Sequence, residues 1–142
     1  MFSNPPAAQI GALLRSARII AVVGLSPDTT RPSHGVARAL QRFGYRVIPV
    51  NPAVESVLGE AAVAGLAQLP EVLGPDERVD IVDVFRRPEH VAGVVAECIR
   101  LQLPALWLQE GVVDAQAAAR AAAAGIFTVM DRCIFKDRAA LR

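Results

Sequence analysis

Five short aliphatic runs punctuate the chain, and the residues between them repeat at helical spacing. The runs are Arg18 to Val23, Tyr45 to Val50, Val79 to Phe85, Ala105 to Leu108 and Ile126 to Met130. Their near-continuous hydrophobicity is what strands show when helices cover both faces of a parallel sheet. After the first run, Val36, Ala37, Leu40 and Phe43 lie on one helical face; Ser33 is the expected N-cap and Gly44 the stop. Pro88 opens a helix carrying Val91, Val94, Val95, Cys98 and Ile99 on one side, and Asp114 caps an alanine-rich helix ending before Gly125. Ahead of the first strand, Asn4-Pro5-Pro6 reads as a capped helix start, with Ile10, Leu13 and Leu14 as its apolar face. The stretch around Gly59-Glu60 is irregular, Leu66 to Leu73 reads as a weak strand or a short helix, and the tail from Asp131 to Arg142 is polar and basic. Such alternation dictates an α/β fold: a Rossmann-like three-layer αβα sandwich on a mainly parallel, doubly wound sheet of about five strands.

Composition narrows the class. With 142 residues, 53% of them hydrophobic, residues 1–142 are expected to form a single domain with its own core. A net charge of +1 argues against a broad nucleic-acid footprint. No apolar run approaches the roughly 20 residues of a membrane span, and the N-terminus lacks the basic start and apolar block of a signal peptide. Two distant cysteines, Cys98 and Cys133, suit neither a disulfide scaffold nor a zinc knuckle. The expectation is a reduced, cytoplasmic protein whose partner is a small nucleotide-type molecule, with neither nucleic acid nor membrane; a homodimer or a separately encoded partner subunit is left open.

In sheets of this kind ligands sit at the carboxyl ends of the strands, and that is where the polar motifs fall. The loop after the first strand reads Gly24-Leu25-Ser26-Pro27-Asp28-Thr29-Thr30-Arg31-Pro32-Ser33-His34-Gly35. It is neither GxGxxG nor a P-loop. Gly24 permits close backbone approach, the hydroxyls donate, a helix start attracts anions, and Arg31 brings a planar charged fork. A surface loop with a capped helix is the plain alternative; the loop's place after the first strand favours a phosphate cradle. His34, alone in a first helical turn, reads as structural or as a ligand contact rather than as a catalyst.

The second strand ends Val50-Asn51-Pro52, without the acid that NAD-binding folds use to hold ribose hydroxyls. The third ends Phe85-Arg86-Arg87-Pro88: a ring for a flat group and two cations for phosphates, or else an ion-paired strand end in which an arginine partners Asp80 or Asp83. The fourth ends Gln109-Glu110-Gly111 and the fifth Asp131-Arg132-Cys133. Trp107 and Cys98 read as core; Cys133 is the better thiol candidate. No metal set and no paired acid, base and nucleophile emerge. Beside ligand binding stand two alternatives: an NAD(H)-sensing module, and a small enzyme acting on a CoA thioester through Glu110, His34 or Cys133.

Together the segments IAVVGLSPDTTRPSHGVARALQRFGYRVIPVNP, Gly59-Glu60, VDIVDVFRRPEHV, LWLQEGVV and VMDRCI resemble the stand-alone CoA-binding proteins. They are similar to the N-terminal CoA-binding domain of the succinyl-CoA synthetase α subunit. The resemblance runs from about Arg18 to Cys133 and implies a Rossmann-like fold holding coenzyme A, or an acyl-CoA, across the strand ends. It implies that Gly24, Leu25, Ser26, Arg31, Pro32 and Ser33 meet the phosphates, and that Val50, Asn51 and Pro52 border the adenosine. Phe85, Arg86 and Arg87 would lie further along the ligand, with Gln109, Glu110 and Gly111 on the pantetheine side. The synthetase's phosphohistidine domain has no counterpart here, so the resemblance implies binding without catalysis. The synthetase's glycine-rich lysine segment is replaced by Ala53-Val54-Glu55-Ser56, leaving Arg31 or Arg86 to supply that charge. A missing acid after the second strand suits CoA, whose 3′-phosphate an acid would repel.

Overall fold

A computed structural model describes residues 1–142. Its strands are β1 (Ile19–Val23), β2 (Arg46–Val50), β3 (Ser56–Val57), β4 (Glu60–Ala61), β5 (Ile81–Val84), β6 (Ala105–Leu108) and β7 (Phe127–Met130). Its helices are α1 (Ala7–Ser16), α2 (Pro32–Arg42), α3 (Val91–Arg100), α4 (Ala115–Ala123) and α5 (Ile134–Ala139), with 3₁₀ turns at Leu66–Glu71 and Pro88–His90. The main sheet has five parallel strands in the order β2-β1-β5-β6-β7. It is the expected doubly wound α/β architecture. The small β3–β4 hairpin, where the sequence reads as irregular, is antiparallel and turns at Leu58-Gly59.

Every residue of β1 is buried because the sheet is covered twice. On one face Ala21, Val23, Val82 and Val84 pack with Val91 and Val95 of α3 and Ala117 and Ala121 of α4. On the other, Ile20, Val22 and Trp107 pack with Leu14 of α1, Leu40 of α2 and Ile134 of α5. Trp107 and Cys98 are both core, as expected, and burial pushes the Cys98 thiol up to about 12.

Two caps differ from expectation. α2 starts two residues earlier, with Pro32 at its first position and Arg31 as an extended N-cap. A residue before proline is driven out of the helical region, so Arg31 takes the boundary. Ser33 Oγ instead accepts from Ser26 N at 3.0 Å. Asn4 is too far upstream, because the extended Pro6 delays α1 to Ala7. Asn4 instead completes the edge strand β7: its Nδ2 donates to Met130 O at 3.0 Å and its Oδ1 accepts from Met130 N at 2.8 Å. Asp114 does cap α4, accepting from Ala117 N at 3.0 Å. The polar tail, predicted only by composition, forms α5, which lies against α1 and α2.

Candidate functional site

Strand order reverses between β1 and β5, one strand running its connection to each side. A crevice opens outside the carboxyl ends at such a point. Here a cavity of about 330 Å³ is lined by Gly24, Ser26, Arg31, Pro32, Ser33 and Phe85. The loop after β1 and the loop after β5 thus meet at one place, from residues more than fifty positions apart.

Gly24 is what lets them meet. Its φ is +83°, and a Cβ there would stand 2.2 Å from the Phe85 carbonyl oxygen and 3.1 Å from Arg86 Cδ. Only glycine combines that backbone angle with that contact. Gly24 N also donates to Val50 O at 3.0 Å, carrying the β1–β2 ladder into the loop.

The loop is braced by its own side chains. Asp28 N donates to Ser26 Oγ at 3.0 Å, and Thr30 donates to Asp28 Oδ1 from its hydroxyl at 2.7 Å and from its amide at 2.9 Å. These bonds, the Thr30 hydroxyl foremost, lower the Asp28 carboxyl below its ordinary range. Asn51 ties the loop to the end of β2: its Nδ2 donates to Leu25 O at 3.0 Å and its Oδ1 accepts from Ala53 N at 2.9 Å. His34 Nδ1 lies 3.0 Å from Ser26 O. A carbonyl only accepts, so Nδ1 carries the proton and the buried ring serves as a strut.

Positive charge is concentrated above this frame. Arg31 is 70% exposed, with Asp28 no nearer than 4.0 Å. Arg86 lies over Gly24, and Arg86 and Arg87 make no ion pair. The anticipated pairing of these arginines with the β5 acids does not occur. Asp80 Oδ2 accepts from the Arg18 and Ile19 amides, at 2.8 and 3.0 Å, at the far end of β1. Asp83 is wholly buried with neither oxygen partnered, and desolvation raises its carboxyl well above the ordinary range. Alternation along β5 turns it to the face of Ile81, beside Val22 and Trp107. An arginine past the strand end has no route into that layer.

Several residues anticipated as contacts are engaged elsewhere. Leu25 and Val50 are buried in the core, and neither lines the crevice. Pro52 sits in the exposed turn after β2. Gln109 is buried and its Oε1 accepts from Ile134 N at 2.9 Å, fastening the start of α5. Glu110 accepts from Lys136 Nζ at 3.0 Å, which raises the lysine's pKa, and Gly111 N donates to Asp131 Oδ1 at 2.8 Å. Cys133 is buried at the start of α5. Replacing Gln109 by alanine orphans the buried Ile134 amide and should cost about 1–3 kcal/mol, read by urea denaturation, without touching the crevice.

The α2 start offers fewer amides than a bare helix end. Pro32 has none, and His34 N and Gly35 N both point to Arg31 O, at 3.1 and 3.4 Å. Anion affinity at this site therefore rests on the arginines and hydroxyls more than on the helix.

Comparison with known proteins gives the chain's family and fold relatives. Residues 18–138 match the model of a family described as CoA binding domain. The chain is 42% identical over 131 residues to the uncharacterized protein YneT of Bacillus subtilis, covering 92% of this chain and 93% of that one. The solved structure of cell-free ID.343 from Thermus thermophilus is 37% identical, with a TM-score of 0.86 over 95% of this chain and 98% of that one. The fold also matches part of a dinucleotide forming acetyl-coenzyme A synthetase 1 of Ca. Korarchaeum cryptofilum, solved with phosphate and ADP. That match has a TM-score of 0.67 at 22% identity and covers 82% of this chain and 26% of that one.

Proposed function

The chain belongs to the CoA-binding-domain family, and from that premise we propose that residues 1–142 act as one domain that binds coenzyme A or an acyl-CoA at the carboxyl ends of the parallel strands, without chemistry of its own. The observation that carries this reading is the crevice at the β1–β5 reversal, lined by Gly24, Ser26, Arg31 and Ser33, with Arg86 lying over Gly24. Exposed arginines beside donor hydroxyls suit a pyrophosphate and a 3′-phosphate. In this reading Gly24, Ser26, Arg31, Pro32 and Ser33 hold the pyrophosphate, Asn51 and Pro52 edge the adenosine, and Phe85 lies against the ligand with Arg86 and Arg87 beyond. Leu25 and Val50 contribute backbone hydrogen bonds that brace the loop. Gln109, Glu110 and Gly111 act one step back, by holding α5 and its loop.

Binding without catalysis fits how the candidate chemical groups are spent: His34 on Ser26 O, Glu110 on Lys136, Cys133 buried under α5. CoA is favoured over NAD(H) because the position after β2 holds Asn51, tied to the Leu25 and Ala53 backbone, in place of the carboxylate that would grip ribose hydroxyls.

Calorimetric titration of ligand-stripped protein with CoA, acetyl-CoA, NADH and ATP at fixed salt tests the reading. CoA and acetyl-CoA should bind at sub-millimolar concentration. Arg31→Ala should weaken them at least tenfold, as expected for one charge-assisted phosphate contact, and flatten the salt dependence. NADH binding without CoA binding would overturn the proposal.

A further inference from the structure

Ser26, on the wall of the crevice, is held at each of its backbone groups by a side chain from the first turn of α2. Its amide donates to Ser33 Oγ at 3.0 Å, and its carbonyl accepts from His34 Nδ1 at 3.0 Å. The amide belongs to the peptide unit before Ser26 and the carbonyl to the unit after it. Two planar units fixed on either side of one Cα fix its φ and ψ, and so the direction of its Cβ. Pro27 narrows the choice further, since a residue before proline is driven to extended backbone.

The side chain is fixed as well. Asp28 N donates to Ser26 Oγ at 3.0 Å, closing a turn of the kind serine favours. That bond uses a lone pair of the hydroxyl and leaves its proton, which no residue of the chain accepts. Thr30, by contrast, spends its hydroxyl proton on Asp28. The half-buried Ser26 thus keeps one free donor at the crevice it lines. His34 is 8% exposed and does not line the crevice. A buried polar ring is costly unless it is hydrogen-bonded, and this one bonds to the loop, eight residues back, not within its own helix.

We infer that His34 is a positioning residue for ligand binding: through the Ser26 carbonyl it sets the Ser26 hydroxyl as a donor to a phosphate in the crevice. The inference rests on the proposed CoA binding and adds how the loop is kept in its binding form before a ligand arrives. Donors ordered in advance lose less entropy on binding than a loop that must first be ordered. Ser33 does the same on the amide side, but it also lines the crevice, so its removal mixes two effects. His34 acts on the carbonyl side alone and isolates the positioning.

The test is calorimetric titration with CoA, with melting temperatures reporting that each variant folds. His34→Leu should weaken CoA binding about tenfold, the loss that follows when one hydrogen bond to a charged group is misplaced. His34→Asn should bind within about threefold of wild type, because its amide nitrogen takes the place of Nδ1 and donates to the same carbonyl. His34→Gln, whose amide lies at the other end of the ring, should lose affinity as His34→Leu does. The contrast of His34→Asn with His34→Gln carries the test should His34→Leu prevent folding. Ser26→Ala should itself cost about tenfold. Adding His34→Leu to it should cost less than about twofold more, since a residue that acts through the Ser26 hydroxyl then has nothing left to position. A purely structural role would add its full loss on the Ser26→Ala background, and that result overturns the inference. So does unchanged CoA affinity in folded His34→Leu, or indistinguishable affinity in His34→Asn and His34→Gln. Each of these leaves CoA binding by the wild type standing; a wild type that binds no CoA removes the proposed function and the inference with it.

Discussion

Replacing Gly24 by alanine should lower the unfolding free energy by about 3 kcal/mol, the sum of a left-handed backbone angle imposed on an L-residue and a forced overlap in a packed region. The melting temperature should fall by about 10 °C. The overlap is specific: the new methyl would stand 2.2 Å from the Phe85 carbonyl oxygen, a backbone atom that moves only if the β1 and β5 loops separate. Those loops make the crevice, so CoA affinity should drop at least tenfold in the same variant, because a misplaced phosphate contact loses much of a charge-assisted bond. Gly111→Ala is the control. Gly111 also has a positive φ, +81°, but open space where a Cβ would go. It should cost only about 1 kcal/mol, the conformational part. Equal losses in the two variants, measured by urea denaturation, would show that the Phe85 contact carries no weight.

The second large effect concerns Asp83, whose buried, unpartnered carboxyl stays protonated in the folded chain. In the unfolded chain it ionises at its ordinary value of 3.8. Above that value the folded state binds a proton that the unfolded state has released, so stability falls as pH rises. The slope is about 1.4 kcal/mol per pH unit, and it persists until the folded carboxyl itself ionises. Stability from this group is full below the unfolded value and is lost upward. The loss accumulates for as long as the folded carboxyl stays neutral while the unfolded one is ionised. Asp83→Asn keeps the shape and removes the titration. It should flatten the pH profile over that range and be the more stable protein at pH 7. A wild-type stability that is level or rises between pH 4 and pH 7 once the other carboxylates are accounted for by the Asn variant would show that Asp83 is not buried as a neutral acid.

Much of the fold is legible in the residues. The five aliphatic runs are strands within a residue or two of their expected limits, and Ala105 to Leu108 agrees at both ends. Elements were missed where their stability comes from partners rather than from periodicity. The hairpin of β3 and β4 has two residues per strand, too few to show alternation. The helix α5 has six residues, four of them in a charged or small run, and stands because Gln109 fastens its first amide and Ile134 plugs the layer beneath Trp107. Capping residues were misassigned for a common reason. Ser33 and Asn4 have the right chemistry, but adjacent prolines shift the helix starts away from them, and both side chains find partners elsewhere.

For the candidate site, the sequence alone determined that polar motifs stand at the carboxyl ends of five parallel strands, since strand alternation and right-handed connection leave no other arrangement. It determined as well that the position after β2 holds an amide in place of an acid. What only the tertiary structure decided is which motifs share a cavity. Strand order sets β1 beside β5, so Gly24, Arg31 and Phe85 meet, while Gln109 and Glu110, one strand further on, turn to α5. Periodicity along a chain reports which face a residue takes; it carries no information about which neighbour the sheet places beside it, because that depends on contacts between residues distant in sequence. Asp83 shows the limit: its carboxylate reads as a partner for Arg86, and one step of strand alternation buries it on the other side of the sheet edge, alone.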